Sequence, residues 1–255
     1  EIKEKEMMSK HTYYGIGGPA EAFIIPADKE DLSQILCYAY DNSIPAYFIG
    51  SGSNLLISDE GIQGLVLSPK KGLKHYQFKE CSVYAESGVM LSRIVKESIK
   101  RNLTGLESLI GVPGTLGGAL VMNAGAFGKE ISNYLRCVDI MTMRGEIISY
   151  SQDDLNFAYR FSSFKDDEFI VSASFTLEKE DPKVILQNIE FANNGRKTNQ
   201  PLKFRSAGSV FKNTKKFAAG YLIDKAGLKG TKIGDAEIST HHANFFINHG
   251  QASSN

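Results

Sequence analysis

Six glycines fall within residues 111–128, in the run Gly-Val-Pro-Gly-Thr-Leu-Gly-Gly-Ala-Leu-Val-Met-Asn-Ala-Gly-Ala-Phe-Gly, and no other stretch constrains the fold as strongly. The same segment carries Leu116, Leu120, Val121, Met122 and Phe127, so it is no flexible Gly/Ser linker. Glycine accepts positive φ and lets backbone approach a neighbour without a Cβ in between. Successive amides in such turns bind phosphate oxygens. A compact turn between two closely packed backbones would use the same residues, and composition leaves both readings open.

A second turn of this kind follows the strand expected over residues 46–49: Gly50-Ser51-Gly52-Ser53-Asn54, then Leu55. It lacks the spacing of the Rossmann fingerprint, and no Walker-type G-x-x-x-x-G-K-[ST] occurs anywhere. A plain β-turn rich in Ser and Asn would look alike. Two separate turns able to hold phosphates suit an extended dinucleotide better than a mononucleotide.

Around these turns the pattern is mixed. Residues 21–25, 82–86 and 169–177 read as strands, and 136–143 with 146–150 as a hairpin about Arg144-Gly145. Helices are expected over 29–40, with Asp28 and Asp31 at its N-terminus, over 91–100 and over 182–193. A charged break at 178–183 marks the best boundary. The pattern indicates an α+β chain of two or three small domains.

With 255 residues, 42% apolar and 23% charged, the chain can bury a core without disulfides or metals. Its formal net charge of zero argues against an electrostatic nucleic-acid binder. Residues 197–232 are locally basic, with Asp224 the only carboxylate, which fits either a small polyanion such as a diphosphate or a solvated lysine-rich face. Cys37, Cys81 and Cys137 are few, odd in number and far apart, as in reduced intracellular proteins. No apolar run reaches the roughly 20 residues of a membrane span, and the charged opening is no signal peptide. The default expectation is a cytoplasmic protein.

The ordered set His11-Thr12, Gly17-Gly18, Gly50-Ser51-Gly52-Ser53-Asn54-Leu55-Leu56, Gly111-Val112-Pro113-Gly114-Thr115-Leu116-Gly117-Gly118, Asn123-Ala124-Gly125-Ala126, Tyr159-Arg160 and Gly208-Ser209-Val210-Phe211-Lys212-Asn213 resembles the UDP-N-acetylenolpyruvoylglucosamine reductase (MurB) family. The likeness runs from about His11 to the last residues. It implies a two-part FAD-binding module of the vanillyl-alcohol-oxidase type, over 1–68 and 69–178, plus a C-terminal α+β substrate domain over 179–255. It implies that NADPH reduces FAD, and that the flavin then reduces the enolpyruvyl ether of UDP-N-acetylglucosamine to UDP-N-acetylmuramate. That step belongs to peptidoglycan precursor synthesis, hence to cell wall biogenesis, cell shape and cell division. A monomer is expected, with that UDP sugar as partner and neither nucleic acid nor membrane.

The resemblance assigns FAD contacts to Gly50, Ser51, Gly52, Ser53, Asn54 and Leu55, and to Gly111, Pro113, Gly114, Thr115, Gly117, Gly118, Ala119, Asn123, Gly125 and Ala126. Hydride arriving at the vinyl carbon leaves negative charge on the neighbouring carbon and its carboxylate, which a fixed cation stabilises most in the transition state. Arg160 matches the family's residue in that role; alone it would read as a surface ion-pair arginine. Ser209 matches the proton donor, a poor acid unless nearby charge and hydrogen bonds assist it. Lys197 and Asn213 match positions that contact substrate or support the proton donor, and Arg205, four residues before Ser209, is expected to reach a substrate phosphate.

Three departures stand out. Thr214 follows Lys212-Asn213 where the family usually has proline. Residues 159–178 leave no room for the extra substrate-clamping loop of the longer family type. The family's third catalytic residue, a glutamate near its C-terminus, finds no match before Asn255, and Glu237 stands in another context. A further terminal segment is therefore expected, and the intact mass of the expressed chain tests it. No metal site is expected: His241-His242 are adjacent, so on a strand they point to opposite faces. Two rival readings remain, another FAD-dependent oxidase or dehydrogenase of the same fold, and a non-catalytic nucleotide-sugar-binding module.

Overall fold

The computed structural model describes residues 1–255. Strands β1 (Ile2–Met7) and β2 (Pro19–Ile24) precede helix α1 (Lys29–Asp41), and β3 (Ala46–Phe48) and β4 (Ile62–Leu67) follow it. Next come β5 (Tyr76–Lys79), β6 (Ser82–Glu86), α2 (Leu91–Lys100), β7 (Leu103–Thr104) and α3 (Leu116–Val121). Two hairpins follow, β8 (Gly125–Ala126) with β9 (Lys129–Glu130), and β10 (Leu135–Met141) with β11 (Ile147–Ser151). A third, β12 (Phe157–Ala158) with β13 (Phe161–Ser162), leads to β14 (Phe169–Thr176) and β15 (Glu178–Lys179). Helices α4 (Pro182–Asn199) and α5 (Ala219–Lys225) and strands β16 (Lys232–Ile233), β17 (Ala236–Ile238) and β18 (Phe246–Asn248) complete the chain.

The expected α+β mixture is what forms. The helices expected over 29–40 and 91–100 and the strand over 82–86 appear within a residue of those bounds. Helix α1 starts where Asp28 accepts the Asp31 amide at 2.9 Å, and Glu30 and Asp31 lie in its first turn, where carboxylates are favoured. The helix expected to end at 193 continues to Asn199.

The chain divides into two compact units, Glu1–Lys3, Ala22–Gly50 and Gly64–Asn193 in the first, and Glu4–Glu21, Ser51–Gln63 and Asn194–Asn255 in the second. In the first, an antiparallel sheet runs in the order β11-β10-β14-β6-β5. Alternate residues Val83 and Ala85, Val138 and Ile140, and Ala173 and Phe175 turn one face of it onto Leu91, Ile94 and Val95 of α2 and Leu116, Ala119 and Leu120 of α3. A smaller core joins Leu32 and Leu36 of α1 to Leu67, Met141, Phe169 and Val171. Strand β3 pairs parallel with β4, Ala46 opposite Leu65. In the second unit β16, β17 and β18 form an antiparallel sheet. The three cysteines are free thiols. No helix is long and apolar enough to cross a membrane.

Candidate functional site

The first unit brings the start of one glycine turn against the other. A Cβ on Gly50 would collide with the Thr115 hydroxyl, so glycine is demanded there by space. The longer turn is anchored from behind. Met90 and Thr115 form an antiparallel bridge, with the Leu91 amide on the Gly114 carbonyl at 3.0 Å and the Leu116 amide on the Val89 carbonyl at 2.8 Å. The Gly117 amide donates to the Ser87 carbonyl at 3.0 Å, and the Gly118 amide reaches Thr115 Oγ1 at 3.5 Å. The first amides of α3 are thereby engaged within the protein.

The amides of Gly114 and Thr115 donate to no protein acceptor, although both residues are buried. A buried unpaired N–H costs about 1–3 kcal/mol, and an anionic oxygen brought by a ligand relieves it. Gly114 stands at φ +134, a conformation side-chain-bearing residues rarely adopt. Steric demand for glycine and unpaired buried amides together fit the phosphate groups of a dinucleotide such as FAD. Gly111 and Pro113 line the exposed approach to this turn, and Ala119 is buried within α3.

The same unit seats Arg160 on the far end of the glycine-rich stretch. Residues Tyr159 and Arg160 are the two-residue tip of the β12–β13 hairpin, and Arg160 takes a left-handed φ of +54. Its guanidinium lies 5.1 Å from the centre of the Tyr159 ring, and Arg160 Nη2 donates to the Gly125 carbonyl at 2.8 Å. Two further bonds tie hairpin to turn. Ser162 Oγ donates to the Val121 carbonyl at 2.6 Å, and Asn123 Nδ2 donates to the Ala158 carbonyl at 3.0 Å. Residues 121, 123 and 125 thus hold residues 162, 158 and 160. Asn123 is fully buried at φ +41, and its amide nitrogen also meets Glu130 Oε2 at 2.6 Å. Gly125 and Ala126 pair with Glu130 and Lys129 in the adjoining hairpin.

Beneath that hairpin lies Glu107, 1% exposed. It accepts from the Gly105 amide at 2.6 Å, Thr104 Oγ1 at 2.8 Å, Asn188 Nδ2 at 3.0 Å and Lys129 Nζ at 3.1 Å. Burial pushes its carboxyl upward, but the backbone amides, Thr104 and Lys129 outweigh burial and hold it below the usual range. Glu107, Glu130 and Ser162 were not singled out in the sequence, and nothing in it signals partners up to 81 residues away.

The second unit holds the other group of expected residues. The rest of the short turn lies against the 11–13 segment: the Tyr13 amide donates to the Gly52 carbonyl at 3.0 Å, and Gly52, at φ +66, has no space for a Cβ beside His11. Ser51 is buried, Ser53 half-buried, and Asn54 and Leu55 are exposed. Arg205 extends its guanidinium across Gly15, whose missing Cβ makes the space, and Arg205 pairs with Asn248. Ser209 is exposed and forms a bridge with Phe245 just after Gly208, at φ +80. Asn244 supports that segment from both sides: its Oδ1 accepts the Phe211 amide at 3.0 Å and its Nδ2 donates to the Phe211 carbonyl at 2.8 Å. Asn244 escaped the sequence reading, since its role depends on a single bridge between remote segments. Asn213 Oδ1 accepts the Ala219 amide at 2.9 Å at the start of α5. Lys197 is exposed in the last turn of α4.

The histidine pair has a local explanation. His242 Nδ1 accepts the Asn244 amide at 3.2 Å and the ring packs edgewise on Phe245 at 4.7 Å. Burial holds its pKa below the usual value, which keeps that nitrogen an acceptor.

Comparison with known proteins places the chain among its relatives. The FAD binding domain family matches residues 20–151, and the C-terminal domain of UDP-N-acetylenolpyruvoylglucosamine reductase matches residues 200–255. The UDP-N-acetylenolpyruvoylglucosamine reductase of Clostridium tetani is 40% identical over 253 residues, 99% of this chain and 82% of that protein. That of Carboxydothermus hydrogenoformans is 41% identical over 253 residues, 99% of this chain and 84% of that protein. The crystal structure of UDP-N-acetylenolpyruvylglucosamine reductase (MurB) from Thermus caldophilus matches with a TM-score of 0.87 at 32% identity, covering 100% of this chain and 90% of that one. The 6-hydroxy-D-nicotine oxidase of Arthrobacter nicotinovorans shares the fold alone, with a TM-score of 0.52 at 15% identity over 70% of this chain and 42% of that one.

Proposed function

The chain belongs to the UDP-N-acetylenolpyruvoylglucosamine reductase family, and from that premise we propose that it is an FAD-containing, NADPH-dependent oxidoreductase that reduces the enolpyruvyl ether of UDP-N-acetylglucosamine to UDP-N-acetylmuramate in peptidoglycan synthesis. The observation that carries this reading is the Arg160 guanidinium held on the Gly125 carbonyl of the glycine-rich turn. A cation fixed on a cofactor turn is what a reaction building negative charge beside that cofactor requires.

Bound FAD supplies the hydride that it takes from NADPH. The residues of the chain do the rest. The unpaired amides of Gly114 and Thr115 hold phosphate oxygens, and Gly50, having no Cβ, leaves the Thr115 hydroxyl its place. The other FAD contacts of this reading are Ser51, Gly52, Ser53, Asn54 and Leu55 of the shorter turn, and Gly111, Pro113, Gly117, Gly118, Ala119, Asn123, Gly125 and Ala126 of the longer one. Arg160 stabilises the charge that develops on the carbon next to the reduced one and on its carboxylate. Ser209 gives that carbon its proton, its exposed hydroxyl held in place through the Phe245 bridge and Asn244. Lys197, Arg205 and Asn213 bind the substrate, the two cations against its diphosphate.

This reading divides the chain into FAD-binding parts over 1–68 and 69–178 and a substrate-binding part over 179–255. It also takes the protein as a cytoplasmic monomer that engages neither nucleic acid nor membrane, in keeping with a net charge of zero. The test is NADPH consumption that depends on the enolpyruvyl UDP sugar. Arg160→Ala and Ser209→Ala proteins should stay yellow and be reduced by NADPH, yet fail to pass electrons to the sugar. Consumption driven instead by unrelated alcohols, or a protein that stays colourless after added FAD, would overturn the reading.

A further inference from the structure

We infer that Asn123 and Glu130 are positioning residues that set the place of Arg160, and that the side chain of Asn123 faces the arginine hairpin rather than the cofactor. The inference rests on the reductase reading of Arg160.

The Asn123 side chain has no group left over for a ligand. Its Nδ2 is committed to the Ala158 carbonyl at 3.0 Å and to Glu130 Oε2 at 2.6 Å, its Oδ1 receives the Ser132 amide at 3.4 Å, and the residue is 0% exposed. Ala158 is two residues from Arg160 on the strand that carries it. Glu130 in turn is fixed by a reciprocal cap with Asn133, whose Oδ1 accepts the Glu130 amide at 2.7 Å. The chain of contacts is therefore Asn133, Glu130, Asn123, Ala158, then Arg160, and Arg160 returns to the Gly125 carbonyl two residues beyond Asn123. This closed circuit explains the backbone. Asn123 and Arg160 both sit in the left-handed region, at φ +41 and +54, conformations that surrounding structure must hold. Loss of the Asn123 amide frees the hairpin from the turn at its centre and leaves only the flanking bonds from Ser162 and Arg160 itself.

Asn123→Gly tests this without adding strain, because glycine keeps the left-handed backbone and removes only the side chain. Anaerobic rapid mixing of the FAD-loaded protein separates reduction by NADPH from reoxidation by the enolpyruvyl UDP sugar. Asn123→Gly should slow the sugar-dependent step about 10- to 100-fold, the scale of an ångström-level misplacement, and leave the NADPH step within about 3-fold. In the loaded protein, amide hydrogen exchange across residues 157–162 should quicken, a change no activity assay reports. Asn123→Gly combined with Arg160→Ala should be no slower than Arg160→Ala alone within about 2-fold, since both changes remove one function. Glu130→Gln, which keeps an oxygen for the Asn123 amide, should stay near the unmodified rate. Glu130→Ala should follow Asn123→Gly, and this pair decides the matter if Asn123→Gly does not fold.

Multiplicative losses in the double variant, unchanged exchange at 157–162, or equal slowing of both half-reactions with loss of flavin would each overturn the inference. Should Arg160→Ala itself leave the sugar-dependent step intact, the reductase role of Arg160 falls and the inference with it. Should Arg160→Ala be slow and Asn123→Gly fast, only the positioning role falls.

Discussion

Arg160 Nη2 and the Gly125 carbonyl oxygen are joined by a 2.8 Å hydrogen bond, and the absence of a side chain on Gly125 is what leaves room for it. Gly125 does not have positive φ, so alanine is refused there by space rather than by backbone strain. Its Cβ would stand 2.9 Å from Glu130 Cγ, 3.0 Å from the Lys129 carbonyl and 3.3 Å from Arg160 Nη1. One of these neighbours, Glu130, is part of the arginine's support, and another is the guanidinium itself. Gly125→Ala is expected to slow electron delivery to the UDP sugar about 10- to 100-fold and to slow reduction by NADPH much less. Stopped-flow traces of the two half-reactions check this; equal losses would show that Gly125 serves the cofactor alone.

Arg160 itself is held at a cost. A non-glycine residue in the left-handed region loses about 1–2 kcal/mol to contact between its Cβ and the following carbonyl, and Arg160 occupies that region at φ +54. Arg160→Ala and Arg160→Gly both delete the guanidinium, so both should be inactive toward the sugar. They differ in strain. The glycine variant should be more stable than the alanine variant by about 0.5–1 kcal/mol after allowance for glycine's freer unfolded chain, read from urea midpoints at equal slope. An alanine variant as stable as the glycine one would mean that the turn relaxes when the arginine goes.

How much of this was legible in the residues follows the range of the forces involved. Helices α1 and α2 could be read because their apolar spacing is local, and in α1 the Asp28 cap acts three residues away. The need for glycine, by space at Gly50 and by positive φ at Gly114, was visible as a bias toward glycine. Other features had no local mark. Strand β1, Ile2–Met7, is mostly charged and lacks the alternation that announces a half-buried strand. Asn193-Asn194-Gly195 reads as a helix stop, yet α4 runs through it for another turn. The hairpin that carries Arg160 has two-residue strands, too short to show any period. The contacts of the Asn123 side chain to Glu130, Ser132 and Ala158 likewise join segments that no local pattern connects.

Glu107 makes acid stability a measure of how firmly the floor of the β8–β9 hairpin is tied. Its carboxyl lies below the ordinary value of 4.5, so its contribution is fully present above that value and lost as pH falls through the lower, folded-state value. Four donors converge on its two oxygens. Glu107→Gln puts an amide NH2 against at least one of those donors, whichever way the group is turned. The variant should lose about 2–3 kcal/mol at pH 7, and its deficit should shrink below pH ~4.5 as the unmodified carboxyl takes up its proton. Urea titrations at several pH values between 7 and 3 check it, and a deficit that stays constant over that range would sink the assignment.

Asn213 caps a helix, and substitution can separate that duty from the substrate contact proposed for it. Its Oδ1 accepts the Ala219 amide at 2.9 Å, which satisfies an orphan N–H at the start of α5, where Ala218 offers no side-chain cap. Its Nδ2 is the group that the proposed substrate contact would use. Asn213→Ala removes both functions and should cost about 1 kcal/mol of stability, the usual worth of a capping acceptor, together with a higher KM for the UDP sugar. Asn213→Asp keeps the acceptor and should hold that stability. It turns the donor into a second acceptor oxygen bearing charge, which an anionic substrate resists, so KM should rise about 10-fold or more. Thermal or urea unfolding alongside steady-state kinetics gives both readings from one pair of proteins. If Asn213→Asp binds the sugar as well as the unmodified chain does, Asn213 is a helix cap and nothing more.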